Sequence, residues 1–487
     1  MKMKKYIILS LASLTMLAST ACMDDYLDGP SPAEEGAITP NEAYASYDAA
    51  NAVMAGMLRF QRSQWTENGQ LSGPTTDVGG LYSMFFARSV KGSDIQLSGS
   101  WYGADYEHDN REPTYRRTGF TWKFPYTMIA KTNQFINGVS SSDRLSDDEK
   151  SNLIAQGKAL RAFYYFQLAL EFNHAYKFDT QAVAPPVYTE INFDGKPMGT
   201  LQELYAQIVA DLEDAVANAP TARFDSSWIN KQVAAAMLAN VYLSMEEWAK
   251  AESMAKLAYG NDVAAALHTV DTFKPSGFDL YTDKEWLWSL PQTGDQTNYY
   301  YMAPHVFMDY GVGYNNGFLN SDFVAKFADN DLRKQAITKT SSQLPETDVR
   351  YWKTTKFKFA FTASAPVIRT PEAILVAAEA AYRQGKTSEA QSILNAFKAT
   401  RYTGFVNESL SGDALLEEIL LERRKELYAE NGVEWFDAKR LQRGITRTGN
   451  HRKILNIAPN DKLLILKIPQ VEIDSNPNID ASVNANR

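Results

Sequence analysis

The sequence predicts a mainly α-helical protein, in which paired helices form a scaffold and two long irregular regions project from it. Apolar residues recur at helical spacing in three stretches, NLIAQGKALRAFYYFQLALEF, TLQELYAQIVADLEDAVANAP and TPEAILVAAEAAYRQGKTSEAQSILNAFKATR. Between the helical blocks, residues of about 60–123 and 260–365 show no clean period. Loops of that length in a compact protein usually carry function, so we expect the ligand-binding face there.

The first residues have the pattern of a secretory signal. Three lysines within the first five residues precede an uncharged, mostly apolar run that ends at Ala21. This run is shorter than the roughly 20 residues that a membrane-spanning helix needs. We therefore predict that residues 1–21 are a lipoprotein signal peptide and that residues 22–487 form a single body.

The single cysteine of the chain, Cys22, follows this signal directly. The preceding residues LASTA resemble the lipobox of bacterial lipoproteins, in which the cysteine becomes the first mature residue and carries the acyl chains. With one thiol, the chain can form no internal disulfide. The acidic residues Asp24, Asp25 and Asp28 follow; they resemble a surface-export signal, and a solvated tether is the alternative. We predict lipidation at Cys22 and attachment to the outer membrane, facing outward.

The helical stretches carry start and stop signals. Ser146 with Glu149, and Thr200 with Glu203, have the spacing of a capping box, in which side chains and backbone N–H groups bond reciprocally at a helix start. Gly385 is placed to end the first helix of the third stretch, because glycine readily adopts the left-handed conformation that closes many helices. These signals divide the third stretch into two helices.

Two of the predicted helix pairs have small residues at matching positions. Ala239 and Ala251 lie 12 positions apart across a turn, and so do Ala378 and Ala390. A small residue at each site lets two antiparallel helices approach closely, as in a tetratricopeptide unit. We therefore expect a tetratricopeptide-like scaffold.

The charge balance excludes some partners. The chain has 49 basic and 58 acidic residues, a formal net charge of −9. Nucleic-acid binding requires a basic surface, so this class of ligand is not expected. Electrostatic attachment to anionic lipid is disfavoured for the same reason.

No pattern of catalytic or metal-binding residues is present in the sequence. The five histidines are scattered, and the chain contains none of the HExxH, GxSxG, P-loop or dinucleotide-binding motifs. Glu418, Glu422, Glu426 and Glu430 recur every four positions beside Arg423. That spacing indicates a solvated or salt-bridged helix face rather than the carboxylate pair of a glycosidase. We expect a non-catalytic protein without metal or cofactor.

Aromatic residues are concentrated in the irregular regions. Residues 101–126 contain eight and residues 281–318 contain ten, well above the chain average of 12%. Sugar rings present C–H faces that stack on aromatic rings, and Tyr and Trp also offer a polar edge. Five rings at helix starts or in strand-like alternation are expected in the core: Trp122, Phe124, Tyr126, Trp286 and Trp288.

Rings within polar, turn-prone sequence are the better candidates for ligand contact. They are Trp101, Tyr102, Tyr106, Tyr299, Tyr300, Tyr301, Tyr314 and Phe318. Asp77, Asp295 and Gln296 are the polar candidates, because carboxylate and amide groups in a cleft can bond ring hydroxyls.

Six blocks, in order along the chain, resemble the SusD/RagB-like outer-membrane nutrient-binding lipoproteins. They are ACMDDYLD, GKALRAFYYFQLALEF, NKQVAAAMLANVYLSMEEWAKA, TPEAILVAAEAAYRQGKTSEAQSILNAFKATR, LLEEILLERRKELYAENGVEWFDAKR and LLILKIPQVEIDSNPNID. The resemblance implies a mainly α fold, with a tetratricopeptide-like helical-pair scaffold over about 124–260 and 370–445 and long irregular, partly β loop excursions.

The resemblance also implies a function. Proteins of this family capture oligosaccharides at the cell surface without catalysis and act as a lid on a TonB-dependent (SusC-like) transporter. Trp101 lies near the family's stacking tryptophan, Tyr300 or Tyr301 matches its tyrosine region, and Phe318 stands where a relative has an aromatic residue. Two alternatives on the same scaffold stay open: capture of peptides, and a structural lid that has no ligand site of its own.

Overall fold

The computed structural model describes residues 38–62, 77–99, 101–192, 194–294, 303–309 and 314–487. Its longer helices are α2 (Tyr47–Phe60), α3 (Gly80–Lys91), α5 (Arg116–Ser141), α6 (Asp147–Phe172), α7 (Leu201–Asn218), α8 (Lys231–Ser244), α9 (Trp248–Tyr259), α13 (Thr370–Arg383), α14 (Thr387–Lys398), α15 (Asp413–Leu427) and α16 (Val433–Arg440). Short helices are α1 (Pro40–Ala43), α4 (Gly103–Tyr106), α10 (Val263–Ala266), α11 (His305–Met308), α12 (Ser321–Val324) and α17 (Gln470–Ser475).

The helix boundaries follow the signals in the sequence. Both predicted capping boxes are formed: the side-chain oxygens of Ser146 and Thr200 accept hydrogen bonds from the backbone N–H groups of Glu149 and Glu203, whose carboxylates accept the reciprocal bonds. Gly385 has a φ of 78° just after α13, in the left-handed region that glycine tolerates. These predictions are confirmed.

The scaffold is a continuous stack of helices. Helix α5 packs on α6, α6 on α7, α7 on α8, α8 on α9, α9 on α13, and α13 on α14 and α15. The small residues Ala239, Ala251, Ala378 and Ala390 are fully buried, or nearly so, within this stack. The predicted mainly α, tetratricopeptide-like scaffold is confirmed.

The partly β excursions are short strands that pair over long sequence distances. They are β1 (Ile95–Leu97), β2 (Val183–Ala184), β3 (Gly199–Thr200), β4 (Trp286–Leu290), β5 (Gly317–Leu319), β6 (Ile337–Lys339), β7 (Trp352–Thr354), β8 (Ala365–Arg369), β9 (Ile445–Thr446) and β10 (Asn456–Ile457). One four-stranded sheet has the order β1-β5-β7-β6, and β4 pairs with β8.

The first irregular region is more helical than the sequence predicts. It contains α3, and α5 begins at Arg116, eight residues before the expected start of the scaffold at 124. Every residue of α3 is buried. Its N-cap residue, Gly79, makes no side-chain capping bond, so α3 lacks the start signal that marks α6 and α7.

The acidic face of α15 is salt-bridged and buried rather than solvated. Arg369 bonds to Glu426 and Glu430, and Arg401 bonds to Glu426 and Glu285. All five side chains are at most 4% exposed. Of the two alternatives that the spacing left open, the salt-bridged one is confirmed here, for Glu426 in α15 and for Glu430 just beyond its end. The spacing gave no information about burial.

Within the described ranges, every helix is too short or too polar to cross a membrane.

Candidate functional site

Strand pairing assembles the candidate site from two distant segments. Strands β1 and β5 run antiparallel, and beyond their last pair the Ser98 backbone N–H donates to the Asn316 carbonyl at 2.9 Å. This pairing places Trp101 beside Tyr314, with their ring centroids 5.6 Å apart in an edge-on arrangement. We refer to Trp101 and Tyr314 as the surface aromatic pair.

The surface aromatic pair is the outer end of a stack of rings. Tyr314 stacks on Phe307 at 5.3 Å, and Phe307 stacks on Phe86 of α3 at 5.5 Å. Phe86 and Phe307 are fully buried, whereas Tyr314 is 37% exposed and Trp101 is half-buried. The buried rings hold the outer two in place, so the pair offers a preorganised apolar surface to a ligand.

The segment before β1 is tied to the scaffold. The Glu434 carboxylate of α16 accepts hydrogen bonds from the backbone N–H groups of Ser93 and Asp94, at 2.6 and 3.0 Å. At Gly432, whose φ is 76°, a Cβ atom would lie 2.3 Å from the Cβ of Arg88 in α3. Glycine therefore allows α16 to approach α3 closely. These contacts fix the segment that leads into β1.

Tyr102 supports the site from beneath and does not face solvent. Its ring is 1% exposed and packs edge-on against Phe86 and Phe307. The guanidinium of Arg117 lies 5.4 Å from the ring centroid and forms two hydrogen bonds of 3.0 Å with Asp105. Burial raises the pKa of the Tyr102 phenol well above its usual value. Tyr102 therefore remains neutral in the core.

Tyr106 and Phe318 are also buried, at 0% and 2% exposure. The Tyr106 hydroxyl is 2.9 Å from His451 Nδ1, and Arg447 lies over its ring. Burial raises the pKa of Tyr106. Phe318 lies in β5 opposite Gln96 of β1. As folded, Tyr102, Tyr106 and Phe318 therefore have no exposed ring face that a sugar could contact. Their polar sequence neighbours belong to the short helix α4 and to strand β5 rather than to open loops.

Asp77 is a buried carboxylate close to Tyr102, since its charge contributes to the raised pKa of that phenol. One of its oxygens accepts a hydrogen bond of 2.7 Å from Arg116, whose side chain is 41% exposed. The other oxygen, Oδ1, has no hydrogen-bond partner among the described residues. As folded, this oxygen is buried, so the contact that Asp77 makes is with Arg116, whose side chain reaches the surface. Arg116 was missed in the sequence because only the fold brings it to Asp77.

Several predicted positions lie outside the described residues: Cys22, Asp295, Gln296, Tyr299, Tyr300 and Tyr301. The rings assigned to the core behave as expected, since Trp122, Phe124, Trp286 and Trp288 are buried, whereas Tyr126 is half-buried. In the part of the chain that the structure describes, acidic, histidine and cysteine side chains do not gather into a group that could hold a metal ion.

Two family models match the chain. Residues 82–243 match the family described as "Starch-binding associating with outer membrane", and residues 353–484 match the "SusD family". The first match includes Trp101 and the second includes α13 to α16. The chain belongs to the SusD/RagB family.

Other SusD-like proteins are similar to this chain in sequence or in fold over most of their length. SusD-like protein P2 of Formosa agariphila is 25% identical over 408 residues, which cover 74% of this chain and 78% of that protein. A SusD-like carbohydrate binding protein from Bacteroides vulgatus superposes with a TM-score of 0.79 at 25% identity, covering 89% of this chain and 97% of the other. A SusD superfamily protein from Bacteroides thetaiotaomicron gives a TM-score of 0.77 at 24% identity, with coverage of 89% and 99%.

Proposed function

We propose that this SusD/RagB-family protein is a non-catalytic, cell-surface glycan-binding lipoprotein that captures oligosaccharides and passes them to a TonB-dependent outer-membrane transporter. The observation that carries the proposal is the surface aromatic pair, Trp101 and Tyr314, held at the outer end of a buried stack of rings. Aromatic faces of this kind bind the apolar C–H faces of sugar rings.

Arg116 is our candidate for the polar part of sugar recognition. Its guanidinium is exposed and is held by the buried Asp77 carboxylate, so its other N–H groups can donate to ring hydroxyls. Hydrogen bonds to ring hydroxyls orient a sugar that stacking alone would leave free to slide. A few polar groups beside aromatic faces suit binding, and we expect no covalent chemistry on the sugar.

The place of action rests on the N-terminus and the family. Lipidation at Cys22 would hold the protein at the membrane, and the description of the matching family refers to the outer membrane. A tethered capture protein raises the local concentration of ligand beside a transporter in the same membrane, by the effective-concentration argument that holds for linked binding sites. Delivery to a SusC-like transporter is therefore the expected fate of the glycan.

The test is a binding screen of the purified lipoprotein in detergent by affinity gel electrophoresis with starch, laminarin, xylan, mannan and pectin. A peptide digest is tested in parallel by isothermal titration. We expect retardation by one polysaccharide class and no heat of binding with peptides. Binding of peptides alone would replace the glycan proposal with peptide capture, and no binding to either would favour a structural lid.

A further inference from the structure

A second groove lies beside the first half of α5. It is bounded on the other side by residues 188–192 and 469–475 and has a volume of about 830 Å³. Ligand sites in proteins have volumes of roughly 300–1,000 Å³, so this groove is large enough for a ligand of several rings. Neither the aromatic stack nor the buried ion pairs of α15 contribute to it.

Small residues on α5 open the groove. Gly119 and Ala130 line it on the same helix face as Lys123, which is exposed. A Cβ atom at Gly119 would meet none of the described atoms within 4 Å. The groove is therefore open beside Gly119, and a larger side chain at this position would project into it.

The floor of the groove is aromatic and rigid. Trp122 and Tyr126 have ring centroids 5.0 Å apart, and Tyr126 and Tyr188 lie 6.0 Å apart. The polar edges of two of the rings are bonded to the protein: Trp122 Nε1 donates to Glu472 at 3.1 Å, and the Tyr126 hydroxyl donates to the Pro186 carbonyl at 2.8 Å. These bonds fix the rings in place before a ligand arrives.

The upper end of the groove meets the site described above. Tyr115, 41% exposed, and Arg116 both line the groove. Arg116 is also the residue that bonds to Asp77 at 2.7 Å. One guanidinium thus borders the groove and contacts a carboxylate whose charge acts on the phenol of Tyr102, the neighbour of Trp101 in the chain.

We propose that this groove is a second glycan subsite, which takes the further units of an oligosaccharide whose first units bind at Trp101. The inference rests on the proposed function. It adds that the ligand is long enough to occupy both the surface aromatic pair and the groove. An exposed tyrosine ring, an aromatic floor and the exposed polar side chains of Glu190 and Asn192 combine stacking faces with hydrogen-bonding groups. This combination suits a sugar chain better than a lipid, because the apolar chains of a lipid cannot form hydrogen bonds with the polar side chains.

The test uses a ladder of oligosaccharides, of about two to eight units, prepared from the polysaccharide that retards the lipoprotein. Isothermal titration gives the affinity for each length with the wild type, Gly119→Trp and a matched control, Gly56→Trp. Gly56 is an exposed helical glycine in α2, and a Cβ atom there would also meet none of the described atoms within 4 Å. Neither substitution should impair folding, because a helix-interior glycine is the poorer helix former.

We expect wild-type affinity to rise with length beyond the units that Trp101 can hold. Gly119→Trp should bind the shortest sugars as the wild type does and the longest about tenfold more weakly, whereas Gly56→Trp should match the wild type throughout. Equal affinity of Gly119→Trp and wild type for the longest sugar would overturn the second subsite and leave glycan capture intact. If the wild type bound no sugar of any length, glycan capture and the subsite would both be rejected.

Discussion

The ion-pair network of α15 and the surface aromatic pair differ in how completely their side chains are engaged. In the network, Arg369 bonds to the carboxylates of Glu285, Glu426 and Glu430 and to the Glu426 carbonyl, and its side chain is 1% exposed. In the aromatic pair, Tyr314 packs one face on Phe307 and remains 37% exposed. The side chains of the network therefore contact only other parts of the fold, whereas the aromatic pair retains exposed surface that a ligand can contact.

The same contrast separates stability from binding. Replacing a member of the network leaves an unpaired charge in the core, whereas trimming a ring of the pair removes contact area at the surface. We therefore expect substitutions in the network to change the free energy of unfolding and substitutions in the pair to change affinity.

The largest effect is expected for Arg369→Met. The substitution leaves Glu426 and Glu430 buried with fewer partners, and breaking such a pair costs about 3–5 kcal/mol. Urea unfolding followed by circular dichroism measures the loss. A double substitution, Arg369→Met with Glu430→Gln, removes one of the stranded charges and should recover part of it. A loss of less than about 1 kcal/mol in the single variant would show that the network is not the structural element we describe.

Acid should weaken the fold in two ranges of pH. Burial lowers the pKa of His305 and His451 to about 4, below the ordinary 6.5, so the unfolded chain binds protons that the native chain does not. Stability should therefore fall as the pH drops from about 6.5 to about 4.

Two buried carboxylates act at lower pH. At Glu171, burial raises the pKa, but the charges of Lys91 and Arg88 have the larger effect and lower it to about 2. At Glu422, Arg333 and Lys425 lower the pKa to about 2 in the same way.

The carboxylates of Glu171 and Glu422 stabilise the fold fully above pH 4.5, the pKa of the unfolded chain. This stabilisation disappears as they protonate, so the loss of stability continues from about pH 4.5 down to about 2. Urea midpoints measured between pH 7.5 and 3 test both ranges. His305→Gln keeps a donor for the Phe278 carbonyl. It should reduce the fall of the urea midpoint between about pH 6.5 and 4 and leave the fall at lower pH unchanged. A midpoint that does not change from pH 7.5 to 4.5 would contradict the histidine contribution.

The smallest effect is expected for Arg443→Ala. Arg443 and Glu417 form two hydrogen bonds, of 2.9 and 2.6 Å, but their side chains are 43% and 54% exposed. Solvent screens such pairs, which contribute about 0–1 kcal/mol. The urea midpoint should barely move. A loss as large as that of Arg369→Met would show that exposure does not separate the two kinds of ion pair in this protein.

The scaffold could be predicted from the sequence because its signals are local. The capping boxes at Ser146 and Thr200 and the closing Gly385 depend on residues three or four apart, and all three are formed as predicted. Helix α3 was missed because it has no capping side chain at its start: Gly79 occupies the N-cap position.

The candidate site could be predicted only in part, because it depends on distant pairing. Trp101 was identified from its polar neighbours, but its contact with Tyr314 arises from the pairing of β1 with β5. Tyr102 and Tyr106 have the same kind of neighbours as Trp101 and yet are buried. Local composition cannot distinguish a ring that turns outward from one that turns into the core.

The measurement that tests the central claim most directly is the affinity of Trp101→Ala for the polysaccharide that retards the wild type. Phe224→Ala serves as the control, because Phe224 is an aromatic residue, 72% exposed, outside both sites. We predict that Trp101→Ala weakens binding by about tenfold or more, while the control binds as the wild type does and both variants remain folded. Equal affinity of Trp101→Ala and wild type would contradict the assignment of the surface aromatic pair as the glycan-binding site.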